Sequence, residues 1–437
     1  MKKSLVALAV LAVAGVASAQ SSVTLFGTVD YGLSYYQTSS NPATKYSVVN
    51  GYPVQNGSIK QSEYAMSSGN ETASRIGFRG VEDLGGGLAA SFWLEGSLGS
   101  LDSQGAVGGN GTLGGSSFFN RRATVSLSGP FGELRIGRDY VPTYWNDTNF
   151  DPFSTNGVGT NLITKMGQAI FANTYGAYGQ NGSPSSYIRH DNTVGYFLPG
   201  NLGGFYGQLQ YAPNGSVKVS GVNDPNYTNG WGNSGGAWGA RFGWTGYGAD
   251  VAVSYGSQNA NDHYTNGGQV KLTTLNLGGT YDFGAAKVFA EASQINNKTS
   301  NDVNGTFPSD FKAWGALLGV SVPVGPGVIK ASYGHVQASC SGDPNIGTYR
   351  NNLCAVTGRV PGYYNLSNPK SDQIAIGYVH NLSKRTAVYG TAAYIRDRAN
   401  PMDLTTGGLV GFSRVGDHTT YSPVYSWGYD LGIRHSF

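Results

Sequence analysis

Apolar and polar residues alternate along short segments that recur through almost the whole chain. The last segment, Val424 to Phe437, shows the pattern most clearly, because aromatic and aliphatic residues occupy nearly every second position and small or charged residues fill the positions between. Successive side chains of a β-strand point to opposite faces, so the segment predicts one apolar face and one polar face. Aromatic residues flanking aliphatic ones on the apolar face are typical of a strand that crosses a bilayer.

Sixteen such segments can be counted, joined alternately by short turns such as 84–87 and 324–327 and by long stretches rich in Gly, Asn, Ser and Thr. Strands can cross a bilayer only in a closed barrel, because an open sheet edge would leave backbone groups unsatisfied in lipid. The sequence therefore predicts an all-β fold, a 16-stranded antiparallel transmembrane β-barrel wide enough for an aqueous channel. The segments lie near 23–35, 73–82, 88–98, 119–128, 133–139, 187–198, 204–212, 236–245, 249–259, 270–283, 286–296, 312–323, 328–338, 372–383, 386–398 and 424–437.

The N-terminus predicts export. Two lysines precede an apolar run, Leu5 to Val16, and the small residues Ala17, Ser18 and Ala19 follow it. This is the pattern of a signal peptide, residues 1–19, which would leave a single barrel domain of residues 20–437. The 28 basic and 25 acidic residues nearly balance, which argues against a nucleic-acid partner.

Four stretches resemble the general diffusion porins of beta-proteobacteria: SSVTLFGTVDYGLSYY, ASRIGFRGVEDLGGGLAASFWLEG, NRRATVSLSGPFGELRIGRDYVPTYW and the terminal GIRHSF. The resemblance covers essentially the whole chain. It implies a homotrimer in the cell outer membrane, surrounded by outer-membrane lipid, that passes small hydrophilic solutes and ions by passive diffusion. It also implies that the third long loop folds into the pore and that Phe437 serves as a signal for outer-membrane assembly.

The strand phases predict which charges face the interior. A charged side chain facing lipid at mid-bilayer costs roughly 2–4 kcal/mol, so charges should occupy the opposite face. Taken singly, each inward arginine is more simply a solvated residue of the wall, but the resemblance implies that four of them form a basic ladder at the constriction. These four are Arg75, Arg79, Arg122 and Arg189. Arg121 is placed near the rim, and the other charges on interior phases are Arg241, Lys330, Arg396, Arg434, Asp30, Glu95, Asp191 and Asp430.

The long stretch Tyr140 to Ser186 is the candidate for the other side of the constriction, because loops of this length are usually functional or disordered. Its acidic and basic residues are only Asp147, Asp151 and Lys165. Four arginines opposite so little negative charge predict a channel that prefers anions. The alternative is a substrate-specific outer-membrane channel for a sugar or organic acid, with an aromatic track drawn from Tyr144, Trp145, Phe150, Phe153, Phe171 and Tyr175.

Cys340 and Cys354 are the only cysteines and lie in one predicted outer loop, which predicts a disulfide bond. The sequence indicates no cofactor and no metal site, and it contains none of the catalytic motifs of common hydrolases or nucleotide-binding enzymes. An enzyme is therefore not expected. An outer-membrane phospholipase or an adhesin that uses the long loops are further alternatives.

Overall fold

The computed structural model describes residues 22–40, 46–49, 52–55, 60–98, 118–177, 187–213, 236–262, 269–300, 311–340, 370–398 and 423–437. The predicted signal peptide and Cys354 lie outside these ranges. Cys340 is the last residue of a strand, but its side chain also lies outside what is described. The cleavage site and the disulfide therefore stay predictions.

One antiparallel sheet contains seventeen strands and closes on itself through pairing of the first strand with the last. The strands of the chain are β1 (Ser22–Ser40), β2 (Tyr46–Val49), β3 (Tyr52–Gln55), β4 (Lys60–Ser68), β5 (Arg75–Gly85), β6 (Leu88–Ser97), β7 (Arg122–Gly129), β8 (Gly132–Tyr140), β9 (Arg189–Phe197), β10 (Phe205–Ala212), β11 (Ala237–Gly246), β12 (Ala249–Asp262), β13 (Gln269–Asp282), β14 (Lys287–Ser300), β15 (Phe311–Val324), β16 (Gly327–Cys340), β17 (Lys370–Asn381), β18 (Thr386–Arg398) and β19 (Pro423–Ser436). β2 and β3 pair only with each other.

The seventeen strands fill sixteen positions around the barrel, because β4 and β5 share one. β4 pairs with residues 31–39 of β1, and β5 pairs with residues 22–28 of the same strand. The six residues 69–74 interrupt the ladder between them. The predicted closed 16-stranded antiparallel barrel is confirmed, and the sequence missed only β4 and the β2–β3 hairpin.

The strands turn their apolar side chains outward. In β17, Ile374 and Ile376 are 60% and 59% exposed, whereas the alternate residues Gln373 and Ala375 are 2% and 1% exposed. Such alternation is the pattern of a membrane barrel, in which lipid covers the apolar face.

The stretch from 142 to 177, which we call the docked segment, carries two helices, α1 (Pro142–Asn149) and α2 (Leu162–Ala177). Proline in the first turn suits the start of α1. Asn161 caps α2, since its Oδ1 accepts the Thr164 backbone N–H at 2.8 Å. No described helix is long and apolar enough to cross a membrane.

The main hydrophobic core lies where the docked segment packs on the polar face of the long strands β12 to β19. α2 supplies an apolar stripe of Leu162, Ile163, Met166 and Ile170, all at most 1% exposed. The stripe contacts β15, β16 and β17. Phe150, which follows α1, lies over Gly278 of β13, where any side chain would overlap its ring.

Candidate functional site

Six arginines on or beside β5 to β9 lie close together through shared partners, and we call them the arginine cluster. They are Arg75, Arg79, Arg121, Arg122, Arg135 and Arg189. Four of them are the arginines predicted from strand phase. Arg121 was expected near the rim. Arg135 was missed, although it alternates with the outward-facing Leu134 and Ile136 and could have been found by phase.

Glu95 of β6 holds one part of the cluster. The Arg121 Nε atom lies 2.6 Å from Glu95 Oε1, and the Arg75 Nε atom lies 4.0 Å from the same oxygen. The indole N–H of Trp93 donates to Glu95 Oε2 at 3.1 Å. The Arg121 guanidinium thus reaches the buried Glu95.

Asp139 of β8 holds a second part. Its carboxylate is 1% exposed, 2.6 Å from Arg135 Nη1 and 3.4 Å from Arg122 Nε. Glu133 also pairs with Arg135, at 3.0 Å. Within the described residues, three carboxylates therefore face the five arginines other than Arg189, so positive charge is in excess among them.

Two arginines of the cluster, Arg79 and Arg122, also contact aromatic rings. The guanidinium carbon of Arg79 lies 5.5 Å from the Phe26 ring centroid and 5.4 Å from that of Trp93, and Arg122 lies 4.7 Å from Trp93. These are cation–π distances. Within the described residues, no carboxylate oxygen lies within ion-pair distance of Arg79, so rings hold this side chain without cancelling its charge.

Arg189 enters the cluster through Tyr140. It lies 4.5 Å from the Tyr140 ring, and both Arg189 and Arg121 donate to the Tyr140 hydroxyl at 2.9 Å. A register shift between β8 and β9 accompanies a positive φ of 55° at Asn192. The shift reverses the phase that unbroken alternation predicts for residues 189–191. The buried His190 takes the interior phase, Arg189 joins the cluster through Tyr140, and Asp191 pairs with Arg138 at 2.5 Å.

Asp147 of α1 is fully buried against the barrel wall. Its Oδ2 accepts hydrogen bonds from Tyr187 at 2.6 Å and Thr164 at 3.0 Å, and its Oδ1 accepts one from Asn276 at 3.0 Å. The carboxyl of Glu291 lies beside it, so the two buried acids interact. Burial raises the pKa of Asp147, which fits a proton held between the two carboxyl groups.

Asp151 and Lys165 are buried as well. Asp151 accepts the backbone N–H groups of Phe153 and Thr155 at 3.0 and 2.9 Å, and burial raises its pKa to about 6. Lys165 is 4% exposed, its Nζ has no hydrogen-bond partner among the described residues, and burial lowers its pKa to about 7. Asp147, Asp151 and Lys165 thus belong to the packing of the docked segment and do not present their charges to solvent.

Further hydrogen bonds fix the docked segment to the wall near both ends of its span. Arg241 of β11 donates to Asn146 Oδ1 at 2.6 Å. Further along the segment, the Val158 backbone N–H donates to Asp430 of β19 at 2.8 Å, and Gln373 of β17 donates to the Val158 carbonyl at 3.0 Å. The segment therefore spans the polar face from β11 to β19.

The interruption between β4 and β5 contributes further ion pairs on this face. Glu71 lies 3.2 Å from the Lys330 Nζ atom and 3.0 Å from the Arg434 Nη1 atom. Asp30 accepts the backbone N–H groups of Glu71 and Thr72 at 2.8 and 2.7 Å. Lys330, Arg434 and Asp30 therefore lie on the interior phase that alternation predicts. The described residues contain no group of three His, Cys, Asp or Glu side chains that could hold a metal ion.

A closed barrel with an apolar outer face and a charged polar face defines an outer-membrane channel protein. A family model described as Gram-negative porin matches residues 4–400. The chain is 35% identical to outer membrane porin protein 32 of Delftia acidovorans over the whole of both chains. It is 29% identical to an outer membrane porin protein of Bordetella pertussis, over 91% of this chain and 95% of that protein. The chain belongs to the Gram-negative porin family and is an outer-membrane protein.

Solved structures of outer-membrane proteins share this fold. An anion-selective porin from Comamonas acidovorans superposes with a TM-score of 0.64 at 29% identity, over 96% of this chain and 100% of that one. The trimer form of OmpT from Vibrio cholerae has a TM-score of 0.54 at 13% identity, over 95% of this chain and 99% of that one, and shares the fold alone. These relatives are named as porins, in agreement with the expectation that the chain is not an enzyme.

Proposed function

We propose that the protein forms a water-filled channel for passive diffusion of small hydrophilic solutes and ions, and that the channel prefers anions. The observation that carries the proposal is that five of the clustered arginines (all but Arg189) meet only three carboxylates among the described residues. Rings of basic side chains favour anions in a pore. The 29% identical porin from Comamonas acidovorans is described as anion-selective, which supports the same conclusion.

The docked segment narrows the lumen in this proposal. It packs on the polar face of β11 to β19, so the uncovered part of the interior would lie beside β5 to β9, where the arginine cluster stands. Arg75, Arg79, Arg122 and Arg189 then form the positive side of the narrow passage. Asp147 and Asp151 do not form a negative side of the constriction in this proposal, because both carboxyl groups are buried.

Reversal potentials test the proposal directly. Purified protein in a planar bilayer, with a KCl gradient across it, should give a reversal potential of the sign set by chloride. A potential of the sign set by potassium would reject the anion preference, and the absence of conductance steps would reject the open channel.

A substrate-specific channel for a sugar or organic acid is the second candidate. It needs rings that a solute can touch, yet Phe150, Phe153 and Phe171 of the proposed aromatic track are at most 8% exposed. Their burial favours general diffusion. Saturable block of the chloride current by a sugar or a dicarboxylate would favour the alternative instead.

Assembly and processing complete the proposal. We infer a homotrimer, which triplet conductance steps would support, and removal of residues 1–19, which N-terminal sequencing of the mature protein would test. The backbone of Phe437 exchanges two hydrogen bonds with Gly27 and closes the barrel seam. The proposed role of Phe437 as an assembly signal predicts that its deletion reduces the protein found in the outer membrane.

A further inference from the structure

The arginines of the cluster are held in two physically different ways. Carboxylates hold Arg121 and Arg135 at hydrogen-bonding distance, and each such pair cancels most of the field that a passing solute would feel. Rings hold Arg79 and contact Arg122. A ring attracts a cation through its quadrupole and carries no net charge, so the cation keeps its full charge toward solvent.

Trp93 is the ring that these two arginines share. In the sheet register, Arg79 of β5 lies directly opposite Trp93 of β6. On the other side of β6, Trp93 pairs with Thr124 of β7, the strand that bears Arg122. The indole thus stands between two like charges that would otherwise repel each other. Its own orientation is fixed, because its N–H donates to Glu95 and its ring lies 4.9 Å from that of Phe26 at an angle of 58°.

Phe26 completes the arrangement around Arg79. Its ring covers Gly77 of β5, a position where a side chain would overlap it, so the backbone of β5 is shaped to admit the ring. Arg79 therefore contacts two rings from two neighbouring strands, β1 and β6. Four strands thus place Arg79, which no described carboxylate cancels, beside Arg122, which also pairs with Asp139 at 3.4 Å.

We propose that Trp93 is the positioning residue for the anion preference, and that it acts by holding the guanidinium groups of Arg79 and Arg122 in place without neutralising them. The inference rests on the proposed anion preference. Its particular consequence is that removal of an uncharged side chain should weaken ion selectivity while the charge of the protein stays the same.

The test compares wild type, Trp93→Leu and Trp93→Phe in planar bilayers under one KCl gradient. Trp93→Leu should lower the chloride-to-potassium permeability ratio about two- to fivefold, the factor that a cation–π contact of ordinary strength supports. Trp93→Phe keeps a ring and should retain most of the ratio. Trp238→Leu is the matched control, since Trp238 is a 48% exposed tryptophan whose ring lies 5.2 Å from that of Tyr255 at 43° and has no cation–π contact with a described arginine.

Repeating the Trp93→Leu change in an Arg79→Gln variant tests whether the effect depends on Arg79. In Arg79→Gln protein, Trp93→Leu should lower the ratio by a smaller factor, because only Arg122 remains to be held. If Trp93→Leu does not fold, Phe26→Leu takes its place, since it removes only the second ring on Arg79 and should lower the ratio by itself.

The outcomes separate the two proposals. A cation-selective wild type would reject the anion preference itself. An anion-selective wild type, together with a Trp93→Leu channel of unchanged permeability ratio, would overturn only the role of Trp93. An equal loss in Trp93→Leu and Trp238→Leu would likewise overturn it, because the effect would then be one of general stability.

Discussion

The docked segment and the arginine cluster place charged groups in opposite environments. Asp147, Asp151 and Lys165 are between 0% and 4% exposed and lie against the long strands, whereas the Arg75 side chain is 32% exposed. Burial penalises the charged form of a group, so the first set is expected to act through hydrogen bonds and protonation. The second set remains charged and can act on solutes. The barrel thus uses charged side chains for packing on one side and, in our proposal, for ion selectivity on the other.

The largest effect should come from removing a buried hydrogen-bond acceptor. Asp147→Ala leaves Tyr187, Thr164 and Asn276 without their shared partner, and the loss should lower the free energy of unfolding by about 2–4 kcal/mol. Asp147→Asn keeps an acceptor and should cost less. Thermal unfolding in detergent, followed by circular dichroism, measures both.

Asn156→Ala is the matched control on the same segment, because Asn156 bonds only carbonyls of its own turn. Its unfolding temperature should match that of wild type. Equal stability of Asp147→Ala and wild type would contradict the structural role given to the buried carboxylate.

Lys165→Met should stabilise the protein, and more so at low pH. Burial lowers the pKa of Lys165 to about 7 from its ordinary 10.5, so the cost of burying the ammonium is fully present below pH 7 and fades as the pH rises toward 10.5. The gain at pH 6 should be on the order of a few kcal/mol and should shrink at pH 9.5. Asp430, Asp151 and Asp397 oppose the cost by favouring the ammonium.

Unfolding midpoints of wild type and Lys165→Met at each pH give the difference directly, and the paired comparison largely removes the separate titration of Asp151. Lys384→Met, which replaces an exposed lysine in a turn, should show no such gain. A stabilisation of Lys165→Met that grows with pH would be inconsistent with a buried ammonium of lowered pKa.

Arg79, which contacts two rings, should affect ion selectivity more than an arginine that is paired with a carboxylate. Arg79→Gln removes a charge that no carboxylate cancels and should lower the chloride-to-potassium permeability ratio about threefold. Arg138→Gln is the matched change at an arginine paired with Asp191 outside the cluster, and it should change the ratio little. Reversal potentials under one gradient compare the two. Equal shifts would mean that the selectivity follows total charge and not the uncancelled positions.

The comparison also explains what could be predicted from the sequence. The barrel positions follow from a period of two and from local turn residues, and the phase of Arg75, Arg79 and Arg122 follows from their apolar neighbours. The register shift at Asn192 could not be predicted, because residues 189–193 are all polar and carry no apolar phase that would reveal it. The burial of Asp147 could not be predicted either, since its partners Asn276 and Glu291 lie more than a hundred residues away in the chain.

The smallest effect, and the one that separates the two regions most directly, is their response to salt. Screening shortens the reach of a solvent-facing charge from about 10 Å at 0.1 M to about 3 Å at 1 M ionic strength, but it acts much less on buried groups. The permeability ratio should therefore fall roughly twofold between gradients centred on 0.1 M and 1 M KCl with the same concentration ratio. The difference in unfolding temperature between wild type and Asp147→Ala should stay nearly constant over the same range. A stability difference that follows salt as the permeability ratio does would mean that the docked segment is held by exposed charges, and the contrast between the two regions would fail.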